Sequence, residues 1–126
     1  MTTVYDAGVL IAADRNDRQV WAQHRVRLEA GLLPVTTAPV VAQASRSPRQ
    51  VQLRRFLRGC DVAAFDAHHA HAVGALLAKS ATADVVDAHL AVTAAQIGAV
   101  VITSDPGDLS NLAPHVRPRI TIRATA

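Results

Sequence analysis

Residues 83–105 read ADVVDAHLAVTAAQIGAVVITSD. This stretch limits the fold more than any other. Its first part is small and apolar, the composition of a buried helix, the longest of its kind in the chain, with Gly98 as its stop. AVVITSD then forms the clearest strand, ending at Asp105. Yet Asp84 and Asp87 sit three residues apart within this apolar setting. An unpaired buried carboxylate is costly, so something has to hold them.

The rest of the chain repeats the alternation of strand and helix. TTVYD reads as a short buried strand ending at Asp6, and AGVLIAADRND as a helix closing in a polar turn. DRQVWAQHRVRLEAG is an amphipathic helix with Val20, Trp21, His24 and Leu28 near one face. LLPVTTAP gives a strand and turn, and Pro39 opens the next helix, PVVAQASR. SPRQVQLRRFLRGC predicts a further helix, with Ser47 as N-cap, Pro48 in the first helical position and Gly59 as stop. DVAAFD is a strand, AHHAHAVGALLAKS a helix, GDLSNLAPH a helical turn and RPRITIRA a last strand. Tyr5 and Phe65 read as strand-core residues. The pattern predicts one α/β domain over residues 1–126, an α/β sandwich with a mainly parallel sheet. Function in such sheets gathers beyond the carboxyl ends of the strands, where Asp6 and Asp105 both fall.

Composition narrows the function classes. No run of eighteen or more uncharged apolar residues exists, so no membrane span is expected. The N-terminus lacks the pattern of a secretory signal. Cys60 is the single cysteine, which excludes an internal disulfide and fits a reducing cytoplasm. The net charge is +3, and Lys79 is the only lysine, so the positive charge is almost all arginine, a side chain suited to phosphate. With four aromatic residues there is no base-stacking platform; a nucleic-acid partner is more naturally met through its phosphates.

Each acid has a purely structural reading. Asp84 fits a helix N-cap with Asp87 in the third helical position, Asp6 a polar strand end, and Asp105 the turn chemistry of SDPGD. Together they invite another. The chain has ten acidic residues, and these four fall where strand ends and a helix start converge. Clustered carboxylates raise one another's pKa. A divalent cation relieves the repulsion, and carboxylates with waters are the ligands of Mg²⁺ or Mn²⁺. Such a metal binds phosphate oxygen and acidifies a water for in-line attack.

VYDAGVLIA near the N-terminus, ADVVDAHLAVTAAQIGAVVITSD in the second half, and their spacing resemble a PIN domain. More narrowly, they are similar to the compact VapC-type toxins of bacterial toxin–antitoxin pairs. The resemblance implies a PIN-like α/β/α sandwich and a metal-dependent endoribonuclease. It implies that Asp6, Asp87 and Asp105 bind Mg²⁺ or Mn²⁺, with Asp84 assisting and Thr103 steadying a metal-bound water. A cognate VapB-type antitoxin, an RNA substrate and a homodimer are further implications. In one place the chain departs from the pattern: Gln43 stands where the family usually has a glutamate, and the sole glutamate, Glu29, is in another helix. The departure leaves room for a weak or inactive PIN domain that binds RNA or a protein. A receiver-like phosphotransfer domain fits less well, because Lys79 is poorly placed for it.

Other candidates have plainer readings. His68 and His71 of HHAH share a helix face but lack partners for a zinc set. His89 is assigned no role, and Cys60 reads as core. Asp108 reads as the cap of the last helix or as a residue of the site rim. Arg46, Arg49, Arg54, Arg55 and Arg58 form the densest basic segment, either an RNA phosphate track or a protein contact.

Overall fold

The computed structural model describes residues 1–125. Five strands, β1 (Thr3–Tyr5), β2 (Val35–Thr37), β3 (Asp61–Ala63), β4 (Val100–Thr103) and β5 (Thr121–Ala124), form one sheet in the order β3-β2-β1-β4-β5. Every pairing is parallel, so the mainly parallel sheet expected from the sequence is parallel throughout. The three central strands are almost wholly buried, as parallel strands covered on both faces have to be. The edge strands β3 and β5 are largely exposed.

Among the described residues seven helices accompany the sheet: α1 (Ala7–Asp14), α2 (Arg18–Glu29), α3 (Ala38–Ala44), α4 (Val51–Leu57), α5 (Ala67–Ser80), α6 (Val85–Ile97) and α7 (Pro106–Leu112), the last running into a 3₁₀ turn at Ala113–His115. Helices α1 to α4 lie in the connections running from β1 outward to β3, and α5 to α7 in those that reach β4 and β5. Right-handed crossovers therefore place the two groups on opposite faces. Helix α6 is the central beam. Every residue from Ala88 to Ala95 is buried, and it packs on β1, β2 and β4 as well as on α3, α5 and α7. Small side chains make this close approach possible. Gly98 ends the helix in the left-handed conformation (φ 65°), where a β-carbon is disfavoured.

Across the sheet, Tyr5, His24 and Phe56 form the aromatic part of the core. The rings of His24 and Phe56 stack at 4.0 Å. The Tyr5 hydroxyl accepts from the Arg27 guanidinium at 3.1 Å and lies 3.0 Å from His24 Nδ1, so it donates to an unprotonated Nδ1. Trp21 closes the cluster and donates its indole N–H to Ala13 O at 2.9 Å.

Three local expectations are corrected. Helix α4 starts at Val51, not beside Ser47, and Ser47 accepts only from Arg49 N within a turn. The reason is Gln50, whose side-chain oxygen accepts from Arg46 N and Ser47 N and holds residues 46–50 in a non-helical loop. Phe65 lies beyond β3, 38% exposed, with its ring meeting the edge of His89 rather than the sheet core. Leu28 is 40% exposed, because α2 turns inward through Val20 and His24.

Burial, with the Arg27 charge second, lowers the His24 pKa to about 4, against an ordinary 6.5. The unfolded chain therefore takes a proton between pH 6.5 and 4 that the folded chain refuses, and stability falls as the pH drops through that window. We expect His24→Leu to flatten this part of the stability–pH curve by on the order of 2 kcal/mol relative to the unmodified protein. Paired urea melts at pH 7 and about pH 4.5 check it; parallel curves for the two proteins refute the assignment.

Candidate active site

The direction of chain progression reverses between β1 and β4: the connections from β1 lead to β2, while β4 pairs with the other side of β1. Such a reversal opens a crevice beyond the carboxyl ends of the two strands. Asp6 follows β1 there, and Ser104 and Asp105 follow β4. Asp6 accepts from Val9 N at 3.0 Å through Oδ1, which caps α1. Its Oδ2 accepts from the hydroxyl of buried Thr103, and that hydroxyl in turn accepts from Asp105 N at 3.0 Å. Gly8 lets the two strand ends approach. A β-carbon there would fall 1.7 Å from Ser104 Oγ and 3.4 Å from Asp6 Oδ1.

Two more helices begin at the same crevice. Asp84 caps α6 and accepts from Asp87 N at 2.9 Å, with Asp87 in the first turn. Asp105 caps α7 and accepts from Gly107 N at 3.2 Å. Three helix starts thus present amides and the positive ends of their dipoles to three carboxylates, which offsets part of their repulsion. Asp6, Asp84, Asp87, Asp105 and Asp108 line one cavity of about 330 Å³, together with Gly8, Ile11, Gln43, Arg46 and Ser104.

Asp87 is the most perturbed of these acids. Burial, reinforced by the charges of Asp84, Asp108 and Asp6, pushes its carboxyl up to about 6. Burial also raises Asp6, against hydrogen bonds from Thr103 and from the amides of Val9, Gly8 and Ser104. All the charged oxygens are hard ligands of the kind Mg²⁺ and Mn²⁺ take, and the crowding that raises Asp87 is what a cation relieves. The donor chemistry fits a divalent cation. Among the described residues, however, no three acidic, histidine or cysteine side chains converge as a finished metal cage.

The PIN-domain family model matches residues 3–113. The chain belongs to the PIN-domain family. Solved structures agree on the fold. A VapBC complex from Salmonella typhimurium, bound to DNA, superposes with a TM-score of 0.74 at 15% identity, covering 100% of this chain and 99% of that one. VapBC2 from Rickettsia felis, bound to a DNA fragment from its promoter, gives 0.70 at 13% identity, with 98% of each chain covered. PAE2754 from Pyrobaculum aerophilum gives 0.61 at 18% identity, covering 96% of this chain and 92% of that one. Against curated protein sequences the chain has no significant match.

Of the residues singled out from the sequence, Asp6, Asp84, Asp87 and Asp105 line the PIN-domain cavity together, and Gln43 lines it from α3. Thr103 lies behind them with its hydroxyl committed to Asp6 and Asp105. Asp108 belongs to the cavity, whereas the cap of α7 is Asp105. Ser104 was not anticipated; its only signal is its place between Thr103 and Asp105. The basic segment divides. Arg46 reaches the cavity, Arg54 donates to Pro48 O, and Arg55 lies over the Trp21 ring at 6.0 Å. The histidines divide too: His68 and His71 are exposed, while His69 turns inward to His89 Nε2 at 3.1 Å and Gln96 Oε1 at 3.0 Å. His89, assigned no role from the sequence, is a fully buried packing residue.

Because the folded Asp87 carboxyl titrates near 6 rather than 3.8, its contribution favours folding at low pH and is lost as the pH rises through about 6. In metal-free buffer at pH 7.5, Asp87→Asn should therefore stabilise the protein, by about 1–2 kcal/mol. The gain should shrink as the pH falls toward 4. Thermal melts in EDTA across this range provide the test, and a gain that does not vary with pH would refute the electrostatic origin.

Proposed function

We propose that this PIN-domain nuclease is a metal-dependent endoribonuclease, the cytoplasmic toxin of a type II toxin–antitoxin pair. The observation that carries the reading is Asp87, half-buried among three other carboxylates at the switch point of the sheet and raised to about 6 by burial and then by their charges. Asp6, Asp87 and Asp105 are the proposed ligands of Mg²⁺ or Mn²⁺, with Asp84 assisting. Bound there, the cation supplies charge neutralisation, polarisation of a phosphate oxygen and acidification of a water for phosphodiester hydrolysis.

The chain's own groups do the rest. Thr103 and the Val9 amide fix both oxygens of Asp6, so this ligand is oriented before any ion arrives. Thr103 accordingly serves as a positioning residue for Asp6, beside its proposed part in steadying a metal-bound water. Asp87, raised by burial and by the neighbouring acids, is the carboxylate whose charge a bound cation would stabilise most. Arg46 at the cavity edge supplies the positive charge that draws a polyanion toward an acidic pocket. A cognate VapB-type antitoxin and a homodimer are part of the proposal. The antitoxin is supported by the likeness of fold to chains crystallised as VapBC complexes, and the homodimer is carried over from the family resemblance alone. No helix among the described residues is long and apolar enough to cross a membrane.

A second reading, a PIN domain with weak catalysis, is favoured by Gln43, which lines the cavity with an uncharged amide. With one carboxylate fewer, a first cation binds normally and a second binds weakly.

Purified protein should cleave RNA with Mg²⁺ or Mn²⁺ and stop in EDTA, and Asp6→Asn or Asp87→Asn should abolish cleavage while keeping the circular-dichroism spectrum. Cleavage that persists in EDTA removes the metal mechanism. Gln43→Glu should lower the metal concentration needed for half-maximal cleavage, from the millimolar range of poorly charged sites, by roughly tenfold. It should also lower the melting temperature in EDTA, because a like charge joins the cluster. If neither quantity moves, Gln43 has no part in cation binding.

A further inference from the structure

The carboxylate cavity does not end at Arg46. A second groove, of about 400 Å³, opens beside it along α1 and the loop after α3. Ile11, Gln43 and Arg46 line both, so the two form one continuous surface with Arg46 at the junction. Arg15, exposed at the end of α1, lines the far part.

The loop that carries Arg46 is held rigidly. Its centre is the Gln50 side chain, whose Oε1 accepts from Arg46 N at 2.6 Å and Ser47 N at 3.0 Å. Its Nε2 donates to Ala44 O at 3.0 Å and to Asp14 Oδ2 at 3.1 Å. Asp14 Oδ1 accepts from Leu53 N at 3.3 Å, so the only acid of the groove has both oxygens engaged in fastening the loop to α1 and α4. The Arg46 guanidinium itself has only a long 3.4 Å contact to Ser45 O, and Arg15 has no side-chain partner among the described residues. Two exposed cations therefore stand in sequence leading away from the carboxylates, with the exposed apolar side chain of Ile11 between the cavities. Two cations placed one after the other along an open groove suit a linear polyanion better than a compact anion. Ile11 offers an apolar contact for a sugar or a base edge.

We propose that a single RNA strand runs from the carboxylate cavity into this groove, with Arg46 binding the phosphate nearest the cavity and Arg15 one further along. The inference rests on the reading of the cavity as an RNA-cleaving site. It moves the phosphate track from α4 and its C-terminal end, which carry Arg54, Arg55 and Arg58, to the groove of α1 and the α3–α4 loop.

The test measures binding and cleavage separately. Affinity of a fluorescein-labelled single-stranded RNA is measured in EDTA over a range of salt concentrations, on an Asp6→Asn background that prevents turnover. Arg46→Ala and Arg15→Ala should each weaken binding about tenfold at low salt and reduce the slope of log Kd against log salt by about 0.7, the value for one phosphate contact on a single strand. Arg46→Lys should restore the slope and part of the affinity, which a purely structural role does not predict. Arg58→Ala, at the C-cap of α4, should change neither. Unchanged affinity and slope in both alanine variants overturns the track and leaves the groove to a protein segment. Cleavage is then assayed with Mn²⁺ on the Asp6-containing protein. Absence of cleavage together with Arg46-dependent slopes supports the track and refutes the nuclease reading, so the two failures are distinguishable.

Discussion

Repulsion between carboxylates is the constraint around which this molecule is arranged. Five aspartates line one cavity, and the fold keeps them there by giving three of them a helix start to cap. Each cap removes an unsatisfied amide from a helix and places a negative charge at the positive end of a dipole, a contribution of about 1 kcal/mol per cap. The local preferences of α1, α6 and α7 thereby offset the cost of assembling the site. Asp87 receives no helix amide at its carboxylate, and its burial, with the neighbouring charges second, appears there as a raised pKa. The bonds that cap the helices also orient the carboxylates proposed as cation ligands.

The buried helix α6 makes the arrangement mechanically possible. It has no exposed face between Ala88 and Ala95, so its position is set by packing from several sides at once. Any shift of its axis would carry Asp84 and Asp87 with it. On the opposite side Gly8 permits the ends of β1 and β4 to meet, and Thr103 ties Asp6 to the backbone of Asp105. The site is held by close packing and by the hydrogen bonds of its own carboxylates to backbone amides and to Thr103. Its carboxylates consequently stay near one another without a finished metal cage.

Much of the fold was legible because the signals are local. The helix of residues 85–97 and its glycine stop, the strand 100–103, and the helix 67–80 follow from apolar runs bounded by turn residues. The errors fall where one side chain outbid a local preference. Ser47 and Pro48 carry a good helix-start pattern, but Gln50 folds back to satisfy two amides of the loop and delays α4 to Val51. The histidine tract invited a face shared by His68 and His71, whereas packing against α6 selected His69 through His89 and Gln96, partners 20 and 27 residues away.

By itself the sequence determined the alternation of elements, the placement of Asp6 and Asp105 at strand ends, and the pairing of Asp84 with Asp87 at a helix start. These depend on spacing along the chain, and spacing is a local property. Tertiary structure alone decided that Asp108 and Ser104 join the cavity, that Thr103 turns to Asp6, and that Arg46 rather than the arginines of α4 stands at its edge. Those outcomes depend on distances between elements far apart in sequence. Such distances arise only when the sheet order β3-β2-β1-β4-β5 brings the ends of β1 and β4 side by side.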